Sequence, residues 1–372
     1  MRLTERLGID VPIFAFSHCR DVVAAVTNAG GFGVLGAVAY SAEQLDTELS
    51  WLDRETGGRP YGVDVLVPGK LDARGVRVAD LIPEEHRAFL DSLFTRYGMA
   101  APARGAGSQS GSQGGSAADD VAGRVTASGA TGLIEVALKH RIGLIASALG
   151  PPPPEMVALA READVPVAAL VGTVEHALRQ REAGADIIVA QGTEAGGHTG
   201  EISTMVLVPQ VVDAVAPIPV LAAGGIASGR QMAAAIALGA EGVWCGSVWL
   251  TTEEAETPQA VKRKFLAASS LDTVRSRSRT GKPARQLSSA WTREWDGADS
   301  PGPLGMPLQM LLAEGAMATI VPAAERGEPG AVELANYFVG QVVGQLDQVK
   351  PAKQVVYEMI SEYAEAVERL TP

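Results

Sequence analysis

Apolar runs of strand length alternate with segments of helical period along much of the chain. Eight such runs begin near residues 11, 32, 61, 143, 166, 186, 219 and 242. Most of them are continuously apolar, which is typical of parallel strands buried on both faces. A segment of helical length follows most of the runs, so the pattern predicts an α/β fold with eight consecutive β-α units. A (β/α)8 TIM barrel requires that number of units.

Local signals support these elements. Ser41 with Gln44 three residues later forms a capping-box pattern for a helix that runs to about Arg54. Ser228 is a candidate N-cap for the helix Gly229–Leu238. A doubly wound open sheet is the alternative fold, but it rarely has so many consecutive units, and the first strand lacks a GxGxxG turn.

The regular alternation is interrupted after the third strand. Ala101–Gly129 is dominated by Gly, Ser, Ala and Gln, and its only apolar residues larger than alanine or proline are Val121 and Val125. Such a stretch cannot bury enough surface to offset its ordering entropy. We interpret it as a flexible insertion that serves as a mobile cover over the site, with a plain linker as the alternative.

The chain after Leu250 is predicted to be mostly helical. Residues 1–250 are therefore interpreted as the barrel, and residues 251–372 as a helical cap with a C-terminal segment that packs on the barrel. The predicted helices of this region are Pro258–Ala268, Pro307–Met317, Ala331–Val343 and Ala352–Leu370.

Composition narrows the possible partners. A net charge of -12 argues against non-specific binding to nucleic acid or to an anionic membrane. No apolar run is long enough to span a bilayer, and the N-terminus lacks a signal-peptide core. Two cysteines do not make a disulfide framework or a metal cluster. We expect a cytoplasmic protein with a small-molecule substrate and no metal, and the oligomeric state stays open, a homo-oligomer included.

Glycines follow the seventh and eighth strands, as Gly224-Gly225 and Gly246-Ser247. Without a Cβ, such turns bring backbone N–H groups close to an anion. Paired turns at these two strands hold phosphate in many (β/α)8 barrels. Ordinary strand-to-helix turns are the alternative interpretation.

A glycine-rich loop, Gln191–Gly200, follows the sixth strand and contains His198. A neutral imidazole at the carboxyl end of a strand can act as a general base near pH 7. Glu194 in the same loop either orients it or is solvated. His18 and Ser17 end the first strand, at the same face, and are candidates for the substrate pocket.

Other polar residues have weaker cases. His86, His140 and His176 lie on predicted helices and are interpreted as surface or structurally satisfied histidines. The segment Arg275–Arg285 carries alternating cations that could neutralise a phosphate or an anionic substrate tail. A solvated basic loop explains the same spacing.

Three motifs resemble the nitronate monooxygenase family, formerly the 2-nitropropane dioxygenases: AQGTEAGGHTG, PVLAAGGIASGRQ and GAEGVWCGS. The resemblance implies a TIM barrel that binds FMN and uses oxygen to oxidise alkyl nitronates, or nitroalkanes, to a carbonyl compound and nitrite. It also implies that His198 is the catalytic base beside the flavin. The cofactor-binding positions that it implies are Asp64, Gln191, Gly196, Gly197, Gly224, Gly225, Trp244, Cys245, Gly246 and Ser247.

The chain departs from that family at Asp64, where the family usually has asparagine. An amide both donates and accepts hydrogen bonds, whereas an ionised carboxylate only accepts. Flavin-dependent enoyl reductases share a nearly identical His loop, so an NAD(P)H-dependent reductase of an enoyl or CoA thioester is the alternative function. The third hypothesis is a non-catalytic protein that binds flavin or phosphate.

Overall fold

Eight parallel strands close into a barrel in the computed structural model, which describes residues 2–38, 40–66, 78–100, 127–148 and 150–370. Each barrel strand pairs with the next one along the chain, and the last returns to the first through the partners Phe14 and Trp244. The (β/α)8 prediction is confirmed, and each of the eight strands lies where the sequence predicts it. The strands within the described residues, in chain order, are β1 Ile13–Ser17, β2 Phe32–Gly36, β3 Tyr61–Leu66, β4 Ile142–Ala148, β5 Val167–Val171, β6 Ile187–Gln191, β7 Gly197–His198, β8 Val220–Ala223, β9 Gly242–Cys245, β10 Thr273–Ser276 and β11 Ala284–Leu287.

Three of these strands lie outside the barrel. They are β10, β11 and β7, and they form a separate antiparallel sheet in that order. This sheet was not predicted from the sequence, and it joins the loop after β6 to the C-terminal third of the chain.

Helices surround the barrel and build a cap above it. Ser41 and Ser228 cap α3 and α9 as predicted. The helices are α1 Leu3–Leu7, α2 Arg20–Asn28, α3 Ala42–Glu55, α4 Glu84–Arg96, α5 Ala127–Ala137, α6 Pro154–Glu162, α7 Val174–Glu182, α8 Thr204–Val215, α9 Gly229–Ala237, α10 Gln259–Ala267, α11 Ala290–Trp295, α12 Leu308–Glu325, α13 Pro329–Leu334 and α14 Ala352–Leu370.

The barrel lumen is a packed apolar core. Phe14, Phe32 and Leu144 lie in it with no exposed surface. Leu3 and Leu7 of α1 join the same cluster, so this first helix closes the amino-terminal end of the barrel. The carboxyl ends of the strands are left for binding and chemistry, as in other (β/α)8 barrels.

The cap has its own apolar cluster, centred on the buried rings of Trp291, Trp295 and Phe265. It combines α10–α13 with α4, so the segment after β3 packs with the C-terminal third of the chain. The boundary at residue 250 remains a prediction. Most of the predicted insertion, residues 101–126, lies outside the described residues.

Two predicted helices are wrong in extent. The helix α12 does not end at Met317 but continues to Glu325. The helix α13 ends at Leu334 instead of continuing to Val343. The chain then becomes extended, because Asn336 donates to the Leu287 carbonyl and the Tyr337 carbonyl accepts from the Leu287 amide. Ala352–Leu370 is helical over the predicted range.

Among the described residues, no helix is both long and apolar enough to cross a membrane.

Candidate active site

Side chains alternate between the lumen and the outer helices along each barrel strand. On β3, Val63 and Val65 pack outward among the helices, so Asp64 points into the lumen. Gln191 ends β6, and Trp244 on β9 belongs to the lumen cluster. Three predicted cofactor-binding residues therefore lie at the carboxyl ends of three barrel strands.

His198 is held above that end by the second sheet. Its strand β7 pairs with β11, where His198 is the partner of Ala284. The His198 Nε2 atom lies 2.8 Å from Thr280 Oγ1. Burial and then the charge of Lys282 lower the pKa of His198 to about 4. The imidazole is therefore neutral near pH 7, the form that can accept a proton.

The tautomer of His198 follows from the Thr280 hydroxyl. We assign the single proton of that hydroxyl to the Lys282 carbonyl, 3.1 Å away, so that its oxygen accepts from His198 Nε2. The proton of the neutral ring is therefore assigned to Nε2, and Nδ1 carries the lone pair.

Glu194 orients the His198 loop, which was one of its two interpretations. Its carboxylate accepts from the Thr204 backbone amide at 3.0 and 3.1 Å and from the Thr204 hydroxyl at 2.9 Å. Thr204 begins α8, so the loop is tied to the start of that helix. A Cβ on Gly192 would lie 2.1 Å from Thr204 Oγ1, which explains the glycine there.

Most arginines of the basic segment Arg275–Arg285 bind other parts of the protein. Arg285 donates from Nε to the Thr193 carbonyl at 2.8 Å, and Arg275 donates to the Thr199 carbonyl at 3.2 Å. Arg279 is 3% exposed and pairs with Glu314. The solvated-loop interpretation is wrong for these three arginines, and their protein partners leave them poorly suited to a substrate phosphate. Lys282 is exposed.

The two predicted phosphate turns lie side by side, because Ala223 and Trp244 are register partners on β8 and β9. Gly224 and Gly225 have φ of +93° and +71°, which favours glycine. In the part of the chain that the structure describes, the amides of Gly224 and Gly225 have no protein acceptor. A short 3-10 helix begins at Ser247, so its first amides are unpaired as well.

These turns, and not the start of α9, have the free amides that an anion would need. The Gly229 amide already donates to Glu362 at 2.8 Å, and Ala227 donates to Gln231. At Gly246 the nearest atom to a built Cβ is 4.0 Å away, so the backbone there is open to a ligand. The donors fit a phosphate group, which supports the flavin phosphate at this position.

Aromatic rings line the lumen beside the second turn. Trp244 stacks on Phe14 and Phe16 at 6.1 and 6.4 Å between centroids. Cys245 points the other way, into the layer between barrel and helices, and burial raises its pKa to about 12. Its thiol is therefore protonated near pH 7 and poorly nucleophilic, and only its backbone can serve the phosphate turn.

His18 lies at the same end of the barrel. Its Nδ1 atom is 3.1 Å from the Gly36 carbonyl oxygen, and its ring occupies the space where a Gly36 Cβ would be. Burial lowers the pKa of His18, although part of the residue remains exposed. The Ser17 hydroxyl accepts from the Cys19 amide, so it serves the local turn.

The glycines of the His198 loop have two functions. A Cβ on Gly196 would lie 2.9 Å from the Gly340 amide nitrogen, so this position is small because the chain packs against it. Gly197 has φ of +75° and open space around it, which leaves its backbone accessible.

The other histidines have structural partners or lie at the surface, as predicted. His86 is 3.0 Å from the Gly302 carbonyl, and His140 lies between Asp53 and Asp46. His176 is exposed at the start of α7.

The partners of His198 were not predicted from the sequence. Thr280 and Lys282 come from a segment about eighty residues further along, and Phe338 lies 6.5 Å from the imidazole between ring centroids. Both lie in the segment Arg275–Arg285, whose cations were noted in the sequence, but nothing in the sequence pairs that segment with His198.

A closed (β/α)8 barrel with paired amide turns after its last two strands and a neutral histidine at its mouth is typical of barrel enzymes that bind a phosphate group. Residues 3–362 match the nitronate monooxygenase family, and the chain belongs to that family. It is accordingly a flavin-dependent oxidoreductase.

Similarity to individual proteins supports this family assignment. The chain is 61% identical to the Rv1533 protein of Mycobacterium tuberculosis, covering 99% of this chain and 98% of the other. It is 31% identical to a protein of Staphylococcus haemolyticus named as a nitronate monooxygenase, with 86% and 87% covered. Among solved structures, nitroalkane oxidase from Streptomyces ansochromogenes superposes with a TM-score of 0.79 at 29% identity, covering 99% of each chain. FabK from Thermotoga maritima gives 0.70 at 28%, with 99% and 97% covered.

Proposed function

We propose that the protein binds FMN and uses oxygen to oxidise alkyl nitronates, and nitroalkanes after deprotonation, to a carbonyl compound and nitrite. The observation that carries the proposal is a neutral His198 fixed above paired amide turns that fit a phosphate. Membership of the nitronate monooxygenase family supports oxidation of nitro compounds.

His198 Nδ1 is the atom that would take the α-proton of a neutral nitroalkane. Thr280 fixes the ring through Nε2, and the loop is tied to α8 through Glu194. The exposed cation of Lys282 near the imidazole favours an anion at the same place, which suits a nitronate that arrives deprotonated. FMN, when bound, supplies the redox chemistry and the reaction with oxygen.

The base assignment is tested with His198→Ala in protein loaded with FMN. General base catalysis contributes about 10²- to 10⁴-fold, so we expect kcat/KM for a neutral nitroalkane to fall by at least about 100-fold. Turnover of a preformed nitronate should fall much less, since that substrate has no proton to lose. His176→Ala, at the exposed start of α7, is the matched control.

Two results would count against these assignments. Unchanged nitroalkane turnover by FMN-loaded His198→Ala protein excludes His198 as the base. Absence of nitronate turnover by FMN-loaded wild-type protein contradicts the proposed function itself.

An NAD(P)H-dependent enoyl reductase is the second candidate, because FabK shares the fold at 28% identity. Against it, Arg275, Arg279 and Arg285 are engaged by protein acceptors and so are poorly placed for a nucleotide phosphate. Anaerobic visible spectra separate the two. Bleaching by NADPH without a response to nitronate supports the reductase, and the converse supports the proposed oxidation.

A further inference from the structure

Asp64 occupies an enclosed place in the wall of the barrel. It points into the lumen from β3, and its residue is 6% exposed. Its register partners on the neighbouring strands are Gly36 and Ala146, which have small or no side chains. The Asp64 carboxyl group therefore extends beyond the side chains of its register partners, at the end of the lumen that carries the site.

The surroundings of Asp64 are almost wholly apolar. Of the lumen-facing positions that the structure describes on the eight barrel strands, only Asp64 and Gln191 have polar side chains. Within the same described residues, no hydrogen bond or charged partner acts on the Asp64 carboxyl group, and only burial does. A carboxylate in such a setting loses its hydration without compensation.

Among the described residues, His18 is a titratable group on the flank of β2, where its ring fills the space beside Gly36. Its Nδ1 is directed to the Gly36 carbonyl, and burial lowers its pKa, so it is neutral near pH 7. On the other side of Asp64, its register partner Ala146 on β4 has an uncharged side chain. His198, above the lumen, is neutral for the reasons given. Burial alone raises the pKa of Asp64, to about 8.

We infer that Asp64 is a neutral carboxylic acid in the folded protein, and that its O–H group is a hydrogen-bond donor toward the flavin ring at the barrel mouth. A protonated carboxyl group has one donor and one acceptor, as an amide has, whereas the ionised form only accepts. Ionisation in mildly alkaline solution removes the donor and places a negative charge in the lumen. This inference rests on the proposed FMN site and makes Asp64 a pH-dependent determinant of cofactor binding.

The test is the dissociation constant of FMN, with the visible spectrum of the bound flavin, between about pH 6 and pH 10 for wild type, Asp64→Asn and Asp64→Ala. If only the protonated form binds well, affinity weakens by about tenfold for each pH unit above the pKa. We expect the wild type to lose at least about tenfold by pH 10. Asp64→Asn should show no such transition, because its amide keeps the donor without titrating, and Asp64→Ala should bind weakly at every pH. Parallel curves for wild type and Asp64→Asn overturn the inference.

A second measurement needs no cofactor. The carboxyl signal of Asp64, identified in the carbon NMR or infrared spectrum as the one that Asp64→Asn removes, should be that of a protonated acid at pH 7. A carboxylate signal overturns the inference whatever FMN does. A titration that depends on Asp64, found in a protein that does not oxidise nitronates, would instead contradict the proposed function and leave the inference intact.

Discussion

The low pKa of His198 has one cause that a mutation can remove. Burial disfavours the imidazolium, and the exposed cation of Lys282 disfavours it further. Lys282→Ala should therefore raise the pKa of His198 from about 4 toward the ordinary value of 6.5. Since the neutral imidazole is the active base, the acidic limb of kcat/KM for a neutral nitroalkane should move to higher pH.

The measurement is the pH–rate profile of FMN-loaded wild type and Lys282→Ala. Lys139→Ala is the matched control, since Lys139 is exposed and precedes β4 at the opposite end of the barrel. Identical acidic limbs for Lys282→Ala and wild type would mean that Lys282 does not act on the base.

Residues close in sequence were easier to assign to the site than residues brought together by folding. His198 lies in a loop whose glycines and position after a strand can be read directly. The Thr280 hydroxyl reaches His198 Nε2 only because β7 pairs with β11, and β7 is two residues long. A strand that short has no hydrophobic period to detect.

At the scale of elements, Arg285 joins two of them. It lies on β11, is 8% exposed, and donates to the Thr193 carbonyl and to the Thr273 hydroxyl. Arg285→Ala should lower the free energy of unfolding by about 1.5–3 kcal/mol, the usual range for hydrogen bonds of charged groups. It should also raise the dissociation constant of FMN, because the loop of Gln191–Gly200 loses its anchor.

Urea denaturation and FMN titration check this expectation. Arg263→Ala, an exposed arginine on α10, should change stability by less than about 0.5 kcal/mol. Equal stability of the two variants would contradict the anchoring role of Arg285.

A comparison of strand and helix patterns shows why the barrel could be predicted from the sequence and part of the cap could not. Barrel strands such as β6 are continuously apolar, and each is buried by the same repeating geometry. The residues Ala331, Leu334, Ala335, Val339 and Val342 also follow a helical period, yet the helix stops at Leu334. Hydrogen bonds to the distant residue Leu287 override that local pattern.

At the scale of the whole molecule, the chain completes the barrel only with its last helix. After β9 it forms a short 3-10 helix and then most of the cap, and α14 finally packs against α9 and α2. The cap is therefore enclosed in sequence between two parts of the barrel. We expect detachment of α14 to destabilise barrel and cap together, because a single cooperative unit loses one of its faces.

The contact between α9 and α14 depends on Gly229. A Cβ at that position would lie 2.0 Å from the Met359 carbonyl oxygen and 2.3 Å from the Tyr363 amide nitrogen. These are backbone atoms of a helix, so they cannot move aside alone. Gly229→Ala should therefore separate α14 from α9 and weaken the bond from the Gly229 amide to Glu362, at a cost of about 3 kcal/mol or more.

Gly315→Ala is the matched control, because Gly315 lies within α12 and a Cβ there has nothing within 4 Å. Alanine is the better helix former by about 0.5–1 kcal/mol, so this variant should be as stable as wild type or more so. Thermal unfolding gives the stabilities, and hydrogen exchange of α14 shows whether that helix is the part released. If the Gly229→Ala protein is stable and its α14 stays fully protected, the two helices can separate slightly without loss of stability. The last helix is then not what completes the barrel.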